Sequence, residues 1–212
     1  MGSLQNGLSP ETPKDGTSLA LGVQRVLPAL HYKAKVFGIG FHKTGTTSLE
    51  LALRILRYRV CGAQPQMAGA LARGDLSGLW PLVETWTAFR DNPWPLVFRE
   101  LDERYPGAKF ILTTRAPENW LRSVLNHFGD RPSAMRELIY GYGSPVGNES
   151  AYIARYTEHH EAVRRHFARF PGRLLECSWE EGHGWKELCP FLDQKEPALS
   201  FPHANSRDSL RQ

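Results

Sequence analysis

Lys35-Val36-Phe37-Gly38-Ile39-Gly40-Phe41-His42-Lys43-Thr44-Gly45-Thr46-Thr47-Ser48-Leu49 is the stretch on which the fold turns. A short β-rich run ends in glycine, passes through a loop with a second glycine, and enters a helix predicted over Thr46 to Leu56. In such a loop the backbone N–H groups point inward, and the helix N-terminus adds about half a positive charge. Gly40-x-x-x-x-Gly45 is therefore a seat for a phosphate.

The position of the lysine narrows the chemistry. A nucleotide triphosphatase continues the second glycine with Lys and then Ser or Thr, because that lysine reaches the β- and γ-phosphates and the hydroxyl holds Mg²⁺. Here Gly45 is followed by Thr46, Thr47 and Ser48, and the lysine stands before the glycine, at Lys43. The anion cradle is present without the usual ATP/Mg²⁺ signature.

Outward from the loop, alternating strands and amphipathic helices predict an α/β fold of three layers, of the P-loop type, with a central, mainly parallel sheet flanked by helices. A second strand is expected near Tyr58 to Cys61 and a third over Lys109 to Thr114. Pro117 then opens a helix carrying Trp120, Leu121, Val124, Leu125 and Phe128 at helical spacing. A long helix is expected from about Glu149 to Phe170, with Tyr152, Tyr156, Val163, Phe167 and Phe170 inward. Pro171-Gly172 ends it before the strand Arg173 to Cys177, and a last helix spans Trp185 to Leu192. Residues 1–30, rich in Gly, Ser, Pro and Asn, read as a flexible N-terminal arm, 31–206 as a single domain and 207–212 as a tail.

Composition agrees with one ordinary domain. The 212 residues carry 26 Lys+Arg against 22 Asp+Glu, a net charge of +4, too slight to argue for nucleic acid. Most of the basic residues are Arg, whose planar fork suits phosphate and carboxylate oxygens. A mean hydropathy of −0.42, no long apolar run, no signal-peptide start and Asn6 where myristoylation wants Ser or Thr predict a cytoplasmic chain with no membrane contact. Cys61, Cys177 and Cys189 are scattered, with no Cys-x-x-Cys pair, and read as reduced core residues. His159, His160 and His166 make a poor metal set and read as solvated helix residues; no metal is expected.

Lys43-Thr44-Gly45-Thr46-Thr47-Ser48-Leu49 resembles the phosphosulfate-binding loop of sulfotransferases that use 3′-phosphoadenosine 5′-phosphosulfate (PAPS). Arg115 and Ser123, eight residues apart across a strand end and the following helix, look like that family's 3′-phosphate clamp, and both can converge on one phosphate. Asp91 to Leu96, Arg99 to Leu101, Tyr105 to Thr113 and Phe201 to Asn205 are similar to a bacterial and fungal branch of small P-loop sulfotransferase-like proteins, so the resemblance runs from about residue 33 to 206. It implies in-line transfer of a sulfuryl group from PAPS to a hydroxyl of a small-molecule acceptor, leaving adenosine 3′,5′-bisphosphate (PAP), in a monomer or homodimer.

On that reading Lys43, Thr44, Gly45, Thr46, Thr47 and Ser48 hold the sulfonate and 5′-phosphate, and Lys43 balances the departing charge. Arg115 and Ser123 hold the 3′-phosphate, and Trp179 lies either near the adenine or in the core. Asp91 is the first candidate for the general base, with a turn cap before Asn92-Pro93 as the alternative. His42 is the second, against simple loop packing, and His127 and Glu100 are weaker candidates. The aromatic cluster Trp80, Trp86, Phe89, Trp94 and Phe98 beside Asp91 is a candidate wall for a phenolic acceptor, or ordinary core. No Arg-Lys-Gly segment completes the 3′-phosphate site near the C-terminus, and Arg207 is a substitute candidate. The rival readings are a P-loop small-molecule kinase or GTPase, and a non-catalytic nucleotide-binding module.

Overall fold

The computed structural model describes residues 34–204. The expected arm, both domain boundaries and Arg207 lie outside them. The elements run β1 (Val36–Gly38), α1 (Thr46–Ile55), β2 (Val60–Cys61), α2 (Ala68–Ala72), α3 (Leu79–Thr85), β3 (Ala88–Phe89), α4 (Phe98–Arg104), β4 (Lys109–Thr113), α5 (Pro117–Phe128), α6 (Ala134–Tyr140), α7 (Glu149–Phe167), β5 (Leu174–Cys177) and α8 (Trp185–Phe191). Short 3-10 turns stand at Pro65–Met67, Trp94–Val97 and Trp179–Glu181.

The five strands form one parallel sheet in the order β2-β3-β1-β4-β5. In β1, Val36 pairs with Ala88 on one side and Lys109 on the other, and Phe37 with Phe89 and Phe110. Successive strand residues face opposite ways, and here both faces are covered. Phe37, Phe89, Phe110 and Leu112 pack with α3, α4 and the C-terminal half of α7, while Val36, Ala88 and Ile111 pack with α1 and α8. That is the three-layer arrangement the sequence predicts, with continuous apolar strands because neither face meets water.

A third cluster lies beyond the sheet's edge on the loop side. Phe41, Trp120, Val124, Met135, Ile139, Tyr140, Tyr152 and Tyr156 join the β1 loop to α5, α6 and α7. Trp120 is fully buried, stacks on Tyr156 at 4.2 Å and donates its indole N–H to the His42 carbonyl at 2.9 Å.

This cluster overturns the expectation of solvated histidines. α7 is packed by two clusters at once, so His159 (1% exposed) and His160 (6%) are buried. The His159 ring stacks on Phe41 at 4.2 Å and its Nε2 meets the Ile39 carbonyl at 2.7 Å. His166 is also partnered, with Nε2 2.8 Å from Asp102 Oδ2. α7 ends at Phe167 rather than Phe170, which is exposed, and Pro171-Gly172 follows as expected. Cys61, Cys177 and Cys189 are free and buried. No described helix is long and apolar enough to cross a membrane.

Candidate active site

The strand order reverses direction around β1: the chain leaves it to one side for β2 and β3, then crosses to the other for β4 and β5. In open α/β sheets the crevice beyond the carboxyl ends of the strands at such a switch is where ligands bind. A cleft of about 700 Å³ lies there. The segments that follow β1, β3, β4 and β5 all contribute to it.

Two glycines let the β1 loop close. A Cβ on Gly40 would stand 2.1 Å from Thr113 Oγ1 and 2.4 Å from the Thr113 carbonyl oxygen. Gly45 has φ +94°, and a Cβ there would meet Trp179 at 2.2 Å. Only glycine fits either position. The Thr44 hydroxyl lies 2.6 Å from both the Phe41 carbonyl oxygen and Thr113 Oγ1, so it ties the loop to β4. The first N–H groups of α1 have no acceptor within the helix, and its first turn carries no acidic residue. Thr46 is buried, Thr47 exposed, and Ser48 Oγ accepts the Ala204 N–H at 3.0 Å.

Lys43 takes a left-handed conformation, φ 66°, uncommon for a residue with a Cβ and typical of functional loops. Among the described residues its ammonium makes no ion pair. Partial burial and the nearby Arg115 guanidinium lower its pKa, and Asp91 opposes them. The β3 segment faces it with a second non-glycine residue at positive φ, Asp91 (φ 67°). Asp91 Oδ1 accepts the Asn92 N–H at 2.8 Å, and Oδ2 lies 3.2 Å from Arg90 Nη1 and 3.3 Å from Thr46 Oγ1. The carboxylate thus caps the turn before Asn92-Pro93 and also reaches the start of α1.

His42 is buried beside them with both ring nitrogens engaged: Nδ1 2.8 Å from Asn92 Nδ2, Nε2 3.1 Å from the Tyr140 hydroxyl. Burial lowers its pKa to about 4, with Asp91 opposing and Arg136 and Lys43 adding to the shift. The ring is therefore neutral at ordinary pH. His127 lines the cleft and is exposed; Glu100 is exposed on α4 and is not part of the lining.

On the β4 and β5 side, Arg115 and Ser123 line the same cleft. The Tyr156 hydroxyl holds the Arg115 backbone, accepting its N–H at 3.0 Å and donating to its carbonyl at 2.8 Å. The Arg115 side chain pairs with Glu180 at 2.5 Å. Trp179 also lines the cleft, donating its indole N–H to the Gly45 carbonyl at 3.1 Å and packing against Phe201.

With this geometry in place, sequence comparison decides the family. The family profile described as "Sulfotransferase domain" matches residues 35–145 and 130–210. The chain belongs to the sulfotransferase-domain family. It is also 28% identical, over an alignment covering 82% of each chain, to "Ava biosynthesis cluster protein M" from Aspergillus versicolor.

The aromatic cluster beside Asp91 does not wall this sulfotransferase cleft. Phe89, Trp94 and Phe98 are buried beneath the sheet, with Trp80 and Trp86 packed against them, because β3 turns the segment inward. The cleft's apolar lining includes instead Ala63, Pro65, Phe128 and Met135. Sequence reasoning also missed Glu180 and Arg136, which reach the cleft through tertiary packing, and Tyr140, which is buried behind it against His42. Among the described residues no three His, Cys, Asp or Glu side chains converge as a metal site.

Proposed function

We propose that this sulfotransferase-family chain moves a sulfuryl group from PAPS to a hydroxyl of a small-molecule acceptor. What supports the reading is the meeting, in one cleft, of the glycine loop, an ammonium without a carboxylate partner at Lys43, and the Arg115/Ser123 pair. The absence of acid from the first turn of α1 suits a bound phosphate, which a carboxylate there would repel.

PAPS supplies an activated sulfuryl group when bound. The α1 N–H groups and the Thr46 and Thr47 hydroxyls would hold the 5′-phosphosulfate, Arg115 and Ser123 the 3′-phosphate, and Trp179 would pack near the adenine. Lys43 balances the negative charge that grows on the leaving phosphate oxygen. Asp91 would take the proton of the acceptor hydroxyl as its oxygen bonds to sulfur and the donor's S–O bond to the 5′-phosphate breaks, releasing adenosine 3′,5′-bisphosphate. His42, with both nitrogens occupied, positions Asn92 and the loop. The assignment invokes no metal, since a sulfuryl group carries less negative charge than a terminal phosphate and the loop already supplies positive potential.

The test is a thermal-shift titration with adenosine 3′,5′-bisphosphate in EDTA, alongside ATP and GTP with Mg²⁺. Ligand at about 100 times Kd adds about 2.7 kcal/mol, or roughly 5–10 °C. The expected outcome is a shift with the bisphosphate that Arg115→Ala abolishes. A shift only with ATP or GTP and Mg²⁺ would replace this reading with the kinase or GTPase one.

A further inference from the structure

The cations of the cleft do not all have counter-charges. Lys43, Arg90, Arg115 and Arg136 line it, against the carboxylates Asp91 and Glu180. Arg90 is paired twice, with Glu50 and with Asp91 at 3.2 Å, and Arg115 is paired with Glu180 at 2.5 Å. Among the described residues Lys43 and Arg136 have no carboxylate partner. The proposed sulfuryl donor answers Lys43, and no described carboxylate answers Arg136.

Arg136 is only 8% exposed. Its Nε donates to the Gly143 carbonyl at 3.0 Å, its Nη2 to the Arg131 carbonyl, and it reaches the Tyr152 hydroxyl. The guanidinium centre lies 4.1 Å from the Phe128 ring centroid. Every one of these partners is neutral, and the two carbonyls engage two of the five N–H groups a guanidinium carries. A buried cation without a counter-ion is costly and uncommon. The helix it belongs to offers no relief, because Arg136 sits in the first turn of α6, where the backbone partial charge is positive.

Its place in the cleft fixes what would answer it. Phe128 touches both the Arg136 guanidinium and the His42 ring, whose centroid is 4.9 Å from that of Phe128, so Arg136 lies on the side of the cleft where His42 meets Asn92. The phosphate-facing groups Arg115, Ser123 and Trp179 come from the segments after β4 and β5.

We propose that Arg136 is the specificity residue for an anionic group on the acceptor: the substrate is a small molecule bearing both the hydroxyl that is sulfated and a carboxylate or phosphate a short distance away. This rests on the reading of the cleft as a sulfuryl-transfer site, and names the acceptor class for it.

The experiment uses the full chain saturated with adenosine 3′,5′-bisphosphate and measures binding, by thermal shift, of hydroxyphenylacetate, hydroxyhexanoate, their methyl esters and phenyl phosphate. The expected result is stabilisation by the acids or by the phosphate ester, whichever source fits, and none by the methyl esters. Arg136→Gln weakens anion binding about tenfold or more, as loss of a charged hydrogen bond does, while the bisphosphate shift is retained. Arg136→Lys, with charge but no fork, gives an intermediate loss and serves if Arg136→Gln fails to fold. Acids and esters binding alike, no anion binding at all, undiminished anion binding in the Arg136 variants, or loss of the bisphosphate shift in them would each overturn the proposal. If the bisphosphate gives no shift on the wild type while the anions still bind through Arg136, the nucleotide reading fails and the anion subsite stands.

Discussion

The two walls of the cleft are built by different means. The wall that follows β1, β4 and β5 is set by backbone: two glycines, the open N-terminus of α1, and an indole seated on the Gly45 carbonyl. The facing wall, Asp91, Asn92, Met135 and Arg136, is set by side chains drawn from two distant segments and tied to the loop by hydrogen bonds such as Asn92 to His42 to Tyr140. A backbone cradle suits a donor common to a family. Side chains on loops can be exchanged without disturbing the sheet, which suits an acceptor that differs from member to member.

If the walls are separate in function, substitutions across them should separate binding from turnover. Lys43→Ala is expected to lower kcat by about 10²- to 10³-fold and also to weaken adenosine 3′,5′-bisphosphate, since it removes the loop's own cation. Asp91→Asn should cost on the order of 10² in kcat with bisphosphate affinity changed by less than about threefold. Calorimetric titration of both variants breaks the comparison if Asp91→Asn weakens the nucleotide as much as Lys43→Ala does.

Gly45→Ala tests the backbone wall directly. Positive φ and the approach of Trp179 should destabilise the fold by about 2 kcal/mol, roughly 4–8 °C in Tm, with bisphosphate binding lost. An unchanged melting curve would mean that the loop geometry is not required.

The histidines behind the loop give a pH-dependent arm. Burial lowers His42 and His160 to about 4 and His159 to about 3, below the ordinary 6.5. The unfolded chain therefore binds more protons, so the stability these neutral rings contribute is complete above about pH 6.5 and is lost as pH falls toward 4. For a ring shifted this far the loss at pH 5 is about 2 kcal/mol. His160 Nε2 is buried without a hydrogen-bond partner, whereas His159 Nε2 meets the Ile39 carbonyl. His160→Leu should flatten the loss between pH 7 and pH 5 in urea melts at little cost at pH 7. Steeper acid sensitivity in that variant would contradict the sign.

Glu180→Gln carries the smallest effect. It frees Arg115 from its carboxylate and should tighten bisphosphate binding severalfold, by about 1 kcal/mol or less for so exposed a pair. Weaker binding would give Glu180 a supporting role at the phosphate site instead of a competing one.

The same contrast explains what the amino-acid sequence discloses. The glycine loop, α1, β4, α5, β5 and α8 are legible because each is a continuous run whose pattern and end signals agree. β3 is not: two residues, Ala88 and Phe89, lie among aromatics that read equally well as a pocket wall. α2, α3, α4 and α6 span five to seven residues, too short for a helical period to stand out. The histidines of α7 were misread because a third cluster covers a face that one sheet alone would leave wet. At the site, Lys43, Arg115, Ser123 and Trp179 all line one cleft, as the resemblance implies, and Asp91 joins them. Arg136 gives no such sign, since its meaning lies in the counter-charge it lacks, and that is visible only in three dimensions.

The central place of β1 has a consequence for how the chain acquires its activity. Its two hydrogen-bonded neighbours, β3 and β4, lie far from it in sequence, with Val36 paired to Ala88 and Lys109, and Gly40 acquires its close neighbour Thr113 only when β4 is in register. The cradle at the front of the sequence cannot take shape as it leaves the ribosome. It must wait for two long-range crossovers, pairings of high contact order that slow folding, and a fragment ending before β4 should have no nucleotide site at all. Capture of a ligand by the cradle must therefore follow the pairing of β4, and any ligand that favours the finished fold also aids folding.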